Sequence, residues 1–135
     1  MNEELLQKWL LRLTAATEML AFISVVMPQS WMKAGHLWLG MGEMRSSPLL
    51  LFMIRQASYT YGLHGISLWI LSTDLKRFRP LIIFNGVAFA LAGIVFFVID
   101  YSSGMPWFWT IGDSIGCGAF GVLLLWLNRK PPESK

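Results

Sequence analysis

Long apolar stretches alternate with short polar segments along this chain. A helix needs about 20 mainly apolar residues to cross the hydrocarbon core of a membrane, and four stretches meet that need. They run from about residues 9 to 27, 48 to 71, 80 to 99 and 106 to 127. Three of the four begin on a proline, which is favoured in the first turn of a helix. The pattern predicts an all-α protein, an integral membrane four-helix bundle that forms a single transmembrane domain over residues 1–135.

The connection between the first two stretches, residues 28–47, is long for a helical hairpin. Trp31, Gly35 and Trp38 fall at helical spacing in it, and Lys33 lies between them. Tryptophan favours the boundary between lipid and water. The segment therefore predicts a short interfacial helix on the outer membrane surface, between the first and second spans.

Small residues recur at intervals of four in the third and fourth stretches. Ala88 and Ala92 lie in the third, and Gly112 and Gly116 lie in the fourth. This spacing lets two helices approach closely in a membrane. We expect these small residues to form contacts within the bundle.

The composition points to lipid as the surrounding solvent. The chain is 55% hydrophobic and 14% charged, whereas soluble domains carry about 25% charged residues. The net charge of +3 does not indicate nucleic acid, because the basic residues cluster between the apolar stretches, as in membrane proteins of defined orientation. The single cysteine, Cys117, excludes an intrachain disulfide.

The positions of lysine and arginine predict the orientation. Eight of them flank the N-terminal stretch, fill the second connection or follow the last stretch, and two lie in the first connection. The eight are Lys8, Arg12, Lys76, Arg77, Arg79, Arg129, Lys130 and Lys135, and the two are Lys33 and Arg45. Because positive residues stay on the cytoplasmic side, both termini are expected in the cytoplasm.

Ionisable residues inside the apolar stretches are the sharpest chemical signal. Such residues are rare in a membrane unless they pair, line a wet cavity or serve function. Counted along each helix, Glu18, Arg55 and Asp113 lie roughly 10 to 14 Å below the outer ends of their helices, and Gln56 is close to that layer. The counting predicts an intramembrane ion-pair cluster. Whether the cluster is a structural clasp or a ligand site stays open at this point.

A second polar layer, His64 and Asn85, is expected nearer the cytoplasm. A lone histidine in a bundle is more typical of a hydrogen-bonded core residue than of a ligand. No histidine, cysteine and carboxylate set has metal-ligand spacing, so no metal site is expected. Phosphate-loop and nucleophile-elbow motifs are absent from the sequence, and no catalytic residue is identified.

Several short motifs follow one another in a recognisable order. They are Met27-Pro28-x-x-Trp31, His36-x-Trp38-Leu39-Gly40-x-Gly42, Arg55-Gln56-Ala57-Ser58-x-x-Tyr61-Gly62, Asp74-x-x-Arg77-Phe78-Arg79-Pro80 and Gly104-Met105-Pro106-x-Phe108-Trp109. This order resembles small four-helix bacterial membrane proteins of the DoxX-like kind. Named relatives are linked to quinone-coupled sulfur oxidation, so the resemblance implies a quinone or lipid ligand. It carries over no catalytic residue.

Two functional hypotheses follow. The leading one is a non-catalytic subunit or accessory module that binds a quinone or lipid near Glu18, Arg55 and Asp113. Its partners would be membrane lipid, other membrane subunits or a second copy of the chain, and not nucleic acid. The alternative is a membrane enzyme acting on a lipid-like or quinone substrate, with Glu18 or Asp113 as general acid or base. A transporter is disfavoured, because four spans without repeats would have to oligomerise to form a pathway.

Overall fold

Helices joined by short loops make up the part of the chain that the computed structural model describes, residues 3–129. They are α1 (Glu3–Met19), α2 (Phe22–Val26), α3 (Gln29–Trp38), α4 (Pro48–Leu71), α5 (Arg79–Ser102) and α6 (Trp107–Leu127). Between residues 3 and 129 no strand is present. The predicted all-α class is confirmed. Lys130 and Lys135, which entered the orientation count, lie outside the described residues.

Within residues 3–129, three helical segments are long and apolar enough to cross a membrane. They are Glu3–Val26, Arg79–Ser102 and Trp107–Leu127, and they correspond to the predicted first, third and fourth spans. A membrane protein is therefore supported. The predicted second span is a 24-residue helix with the expected bounds, α4, but it is not among these segments, because Arg55, Gln56 and His64 interrupt its apolar sequence.

The start of α4 has a clear local cause. The Leu50 backbone N–H donates to Ser47 Oγ at 3.1 Å, which satisfies one of the free donors at a helix start. Pro48 occupies the first helical position, where its missing N–H costs nothing.

The first apolar stretch forms two helices rather than the single run predicted for residues 9–27. After α1 ends at Met19, the Ala21 N–H donates to the Glu18 carbonyl at 3.0 Å and the Ser24 N–H to the Ala21 carbonyl at 2.9 Å. These bonds span three residues, as in the tighter 3₁₀ helix. The chain therefore keeps its hydrogen bonding through residues 20–24 and continues into α2.

The predicted helix within residues 28–47 is present as α3. No residue of α3 is buried, and its two tryptophans are 67% (Trp31) and 85% (Trp38) exposed. Beyond it, Gly40 and Gly42 have φ of 72° and 77°, a conformation that favours glycine. His36 Nδ1 lies 2.8 Å from the Gly42 carbonyl oxygen, which ties this turn to the helix.

The described helices belong to two compact units. The α4 unit is Leu11–Ile70, and the hairpin unit combines Met1–Leu10 with Leu71–Lys135.

In the hairpin unit, α5 and α6 pack along small residues. A Cβ added at Gly93 would lie 2.7 Å from the Ser114 carbonyl oxygen, and one at Gly121 would lie 2.6 Å from the Gly86 carbonyl oxygen. The two backbones are therefore nearly in contact, as small residues permit in membrane helices. Phe89 and Phe120 pack edge to face beside this seam, with ring centroids 4.6 Å apart.

Only some of the small residues that were predicted to pack lie at the contact between α5 and α6. Added Cβ atoms at Gly112 and Gly116 would meet nothing within 4 Å, whereas Gly121 faces Ala90 of α5. The seam therefore follows the α6 face of Ser114, Gly118 and Gly121, and Gly112 and Gly116 lie off this face. The end of α6 is also held by Arg79, whose Nη2 donates to the Asn128 carbonyl oxygen at 2.7 Å.

Candidate functional site

A carboxylate and an imidazole meet inside the α4 unit. His64 Nδ1 of α4 lies 2.6 Å from Glu18 Oε2 of α1. The Glu18 side chain is 12% exposed and that of His64 is 37% exposed. Because an ionised carboxylate only accepts hydrogen bonds, the imidazole Nδ1–H is the donor. The pair thus joins two helices by a short polar contact in an otherwise apolar region.

Neighbouring contacts define how α1 and α2 run antiparallel to α4. The Arg12 guanidinium lies 5.4 Å from the centre of the Trp69 ring, and the Phe22 and Tyr59 ring centroids are 5.8 Å apart. The Glu18–His64 pair lies between these two contacts. Residues further along α1 and α2 therefore lie beside residues that are correspondingly closer to the start of α4.

Two glycines of α4 make this approach close. A Cβ at Gly65 would lie 2.7 Å from the Ala15 carbonyl oxygen, and one at Gly62 would lie 2.5 Å from the ring of Phe22. Without side chains at these positions, α1 and α2 reach the backbone of α4. The glycines therefore allow Glu18 to reach His64.

Residue counts from the helix ends predict that Glu18 and His64 lie in different layers of the membrane, and this prediction is wrong. The structure instead brings them together, because the end of the first span is not level with the start of α4. Arg55 precedes Tyr59 by four residues, so the antiparallel register makes Arg55 level with Val26, four residues after Phe22.

Arg55 is thus separated from Glu18 along the helix axis. It lies nine residues from His64 on α4, which corresponds to about 13 Å at the rise of an α-helix. Among the described residues of the α4 unit, no ion pair or side-chain hydrogen bond is formed by Arg55. The residue is exposed, and within this unit its charge is not balanced by a carboxylate.

Arg55 lies in an open groove of about 600 Å³ along α4. The lining residues are Pro48, Leu51, Phe52, Arg55, Gln56 and Tyr59. Their spacing of three and four residues places them on one helix face, and Tyr59 also belongs to the face that contacts Phe22. The groove therefore begins beside α2 at Tyr59 and extends along the same α4 face past the level of Val26, where α2 ends.

The spacing of aromatic residues in the sequence indicates this groove, whereas the positions of the charged residues do not. Phe52 is three residues from Arg55 and seven from Tyr59, which is the periodicity of one helix face. Both aromatic residues are about half exposed, at 59% and 52%. An exposed aromatic pair on either side of a cation is consistent with an amphiphilic ligand.

Asp113 belongs to the hairpin unit, where it is exposed on α6. It lies beside Gly112, whose missing side chain leaves open space. Within the α4 unit Glu18 and Arg55 lie apart, and the place of Asp113 in the predicted cluster stays a prediction. So does the layer of His64 with Asn85, whose Nδ2 donates to the Leu81 carbonyl oxygen at 2.9 Å within its own helix.

A second, smaller groove of about 360 Å³ follows the seam of the hairpin unit. Its lining consists of Ala90, Gly93, Ile94, Phe97, Ser114, Ile115 and Gly118. It contains no charged side chain, and its one polar side chain is Ser114, whose hydroxyl donates to the Thr110 carbonyl oxygen. Across residues 3–129, no group of three histidine, cysteine or acidic side chains is arranged to hold a metal ion.

Comparison with known proteins gave no match to a family model, a curated protein or a solved structure.

Proposed function

We propose that this chain is a non-catalytic membrane protein, a subunit or accessory module that holds a quinone or lipid along α4. The observation that carries the proposal is the groove beside Arg55, which combines one cation with apolar and aromatic walls. Binding sites for amphiphiles need this combination, because apolar walls provide affinity and a few polar groups provide orientation. Gln56 adds a second hydrogen-bonding group at the same level.

The proposed arrangement in the membrane is a four-helix integral bundle. Its spans are Glu3–Val26, α4, α5 and α6, with both termini in the cytoplasm of a bacterium and the protein in the inner membrane. Three of these spans are supported by length and apolar composition. The fourth, α4, is long enough at 24 residues, and packing against other helices would shield its polar residues. The resemblance to DoxX-like proteins agrees with this arrangement.

The polar residues have distinct proposed roles. Arg55 and Gln56 orient the ligand, and Glu18 fixes the first span on α4 by holding His64. A module of this kind would work beside other membrane subunits or a second copy of itself, and its stability would depend on the lipid that surrounds it.

The test is to measure which small molecules stay with the protein after mild detergent extraction, by native mass spectrometry. Phe52→Ala removes a wall of the groove and should lower the amount of copurified quinone or lipid roughly fivefold, as expected for losing about half of a buried aromatic contact. Phe84→Ala is the matched control, because Phe84 is similarly exposed, at 67%, on another helix. Equal amounts in all three proteins, or none in the wild type, would refute the proposal.

A second candidate function is favoured by the short contact between Glu18 and His64. A carboxylate that orients an imidazole is a common arrangement for moving protons, so a membrane enzyme acting on a lipid-like or quinone substrate is the alternative. It predicts a product when the protein is incubated with such substrates, lost in Glu18→Gln or in Asp113→Asn. If the wild type yields no product from either class, the non-catalytic module is retained.

A further inference from the structure

We infer that the α4 groove binds an acidic lipid, with the phosphate of its headgroup on Arg55. This inference rests on the proposed function, since it names the class of amphiphile that the groove would take. Three observations support it: the height of Arg55 along α4, the absence of a compensating carboxylate in its unit, and the apolar walls on both sides of it.

The depth of Arg55 in the membrane is suitable for contact with a lipid headgroup. If the end of α4 at Leu71 lies at one membrane boundary, Arg55 is 16 residues away, which is about 24 Å. The hydrocarbon core is about 30 Å thick, so the Arg55 backbone lies roughly 6 Å inside the opposite boundary. Helical side chains lean towards the helix N-terminus, and a long arginine side chain extends its guanidinium to the boundary.

The neighbouring elements agree with this height. Arg55 is level with Val26, the last residue of α2, and Trp31 follows shortly afterwards with 67% of its surface exposed. Exposed tryptophan is typical of the membrane boundary. A headgroup is therefore available at the level of Arg55.

The charge of the groove selects an anion. Glu18, the nearest expected counter-ion in the unit, is bound to His64 about 13 Å further along the helix. A cation at a lipid boundary is stabilised by an anionic partner, and the guanidinium matches a phosphate with two parallel hydrogen bonds. A neutral headgroup or a quinone carbonyl would leave this charge uncompensated.

The walls of the groove suit an acyl chain. Leu51 and Phe52 lie on one side of Arg55, towards the start of α4, and Tyr59 lies on the other side. A lipid with its phosphate at Arg55 would lay a chain against the exposed half of Tyr59, beside the part of this face that α2 covers. The apolar walls distinguish a membrane lipid from a soluble phosphate, which would gain nothing from them.

The experiment compares two lipids that share acyl chains and differ in charge. The full chain is reconstituted in bilayers of equal parts phosphatidylglycerol and phosphatidylcholine, extracted in mild detergent, and the retained lipids are counted by native mass spectrometry. The wild type should retain phosphatidylglycerol about fivefold over phosphatidylcholine, the preference expected for one cation near an acidic lipid. Arg55→Gln should reduce the ratio to about one, while Arg55→Lys should give an intermediate ratio.

Lys33→Gln is the matched control, because it removes one exposed positive charge from α3 and should leave the ratio unchanged. Thermal unfolding of each variant verifies that it is folded, and Arg55→Lys serves in place of Arg55→Gln if the latter does not fold.

Each of the following outcomes would overturn the inference. The first is a wild-type ratio near one, and the second is a ratio that survives Arg55→Gln. A third is a preference that arises only in Asp113→Asn, which would show that an Asp113 carboxylate occupies Arg55. The fourth is displacement of the lipid by soluble glycerol phosphate, or by a neutral isoprenoid quinone added in equal amount. Quinone retention that depends on Phe52 would refute the acidic lipid and leave the proposed function in place.

Discussion

His64 Nδ1 and Glu18 Oε2 are 2.6 Å apart although the two residues are 46 positions apart in the sequence. This hydrogen bond is a polar contact in a region that otherwise packs through glycine and aromatic side chains. It therefore fixes which turn of α1 faces which turn of α4. The same register determines that α2 ends at the level of Arg55 along α4, within the groove.

We expect Glu18→Leu to destabilise the protein. Glu18 is 12% exposed, so His64 would lose its acceptor in a largely apolar setting, at a cost of about 1–3 kcal/mol. Denaturant unfolding of the purified protein in detergent, followed by circular dichroism, measures the change. Glu18→Gln keeps an acceptor oxygen and should lose less. A loss for Gln as large as that for Leu would contradict a role based on this hydrogen bond.

The glycine seam of the hairpin unit predicts a contrast within α6. Gly121→Ala places a methyl group against Ala90 and the Gly86 carbonyl oxygen, so the two helices must separate, at about 1–3 kcal/mol. Gly116→Ala makes the same chemical change where nothing lies within 4 Å, and alanine favours a helix. Thermal unfolding of the two variants should therefore shift in opposite directions, and equal destabilisation would show that Gly116 is also packed.

The cap of α4 can be tested with neighbouring serines. Ser47→Ala removes the acceptor of the Leu50 N–H, which should cost about 1 kcal/mol. Ser46→Ala changes an exposed serine one position earlier and should be nearly neutral. Hydrogen exchange of the amides in the first turn of α4 provides the local measurement, with faster exchange expected for Ser47→Ala alone.

The predicted orientation can be tested with reporter fusions. A fluorescent protein fused after the C-terminus should fluoresce, because it would remain in the cytoplasm. Alkaline phosphatase inserted after Gly104, between α5 and α6, should be active, because that connection would lie outside. The opposite pattern would reverse the orientation, and the height assigned to Arg55 would then refer to the inner leaflet.

Helix positions were predictable where local signals are strong. Proline marks the starts of α4 and α6, and both helices begin within one residue of the predicted position. The helix α5 was expected to end at Ile99 but continues to Ser102. Asp100 ends the apolar run there, but a charged residue does not prevent the next backbone hydrogen bonds.

The pairing of Glu18 with His64 was not predictable from counts along each helix. Such counts assume that helix ends are level, whereas the register depends on which side chains fit together. Here Gly62 and Gly65 admit Phe22 and Ala15 to the surface of α4, and this fit moves Glu18 away from the level of Arg55. Composition indicates a membrane, but it contains no information about this fit.

The close backbone contact of α5 and α6 also bears on how the protein assembles. Only four residues, 103–106, connect the two helices, so bringing them together restricts little of the chain. The contact between α1 and α4 closes a loop of more than forty residues. The hairpin is therefore expected to form quickly and on its own, whereas the part that carries Arg55 gains its structure later. A substitution that weakens the contact between α1 and α4 would then impair ligand binding and leave insertion of the hairpin intact.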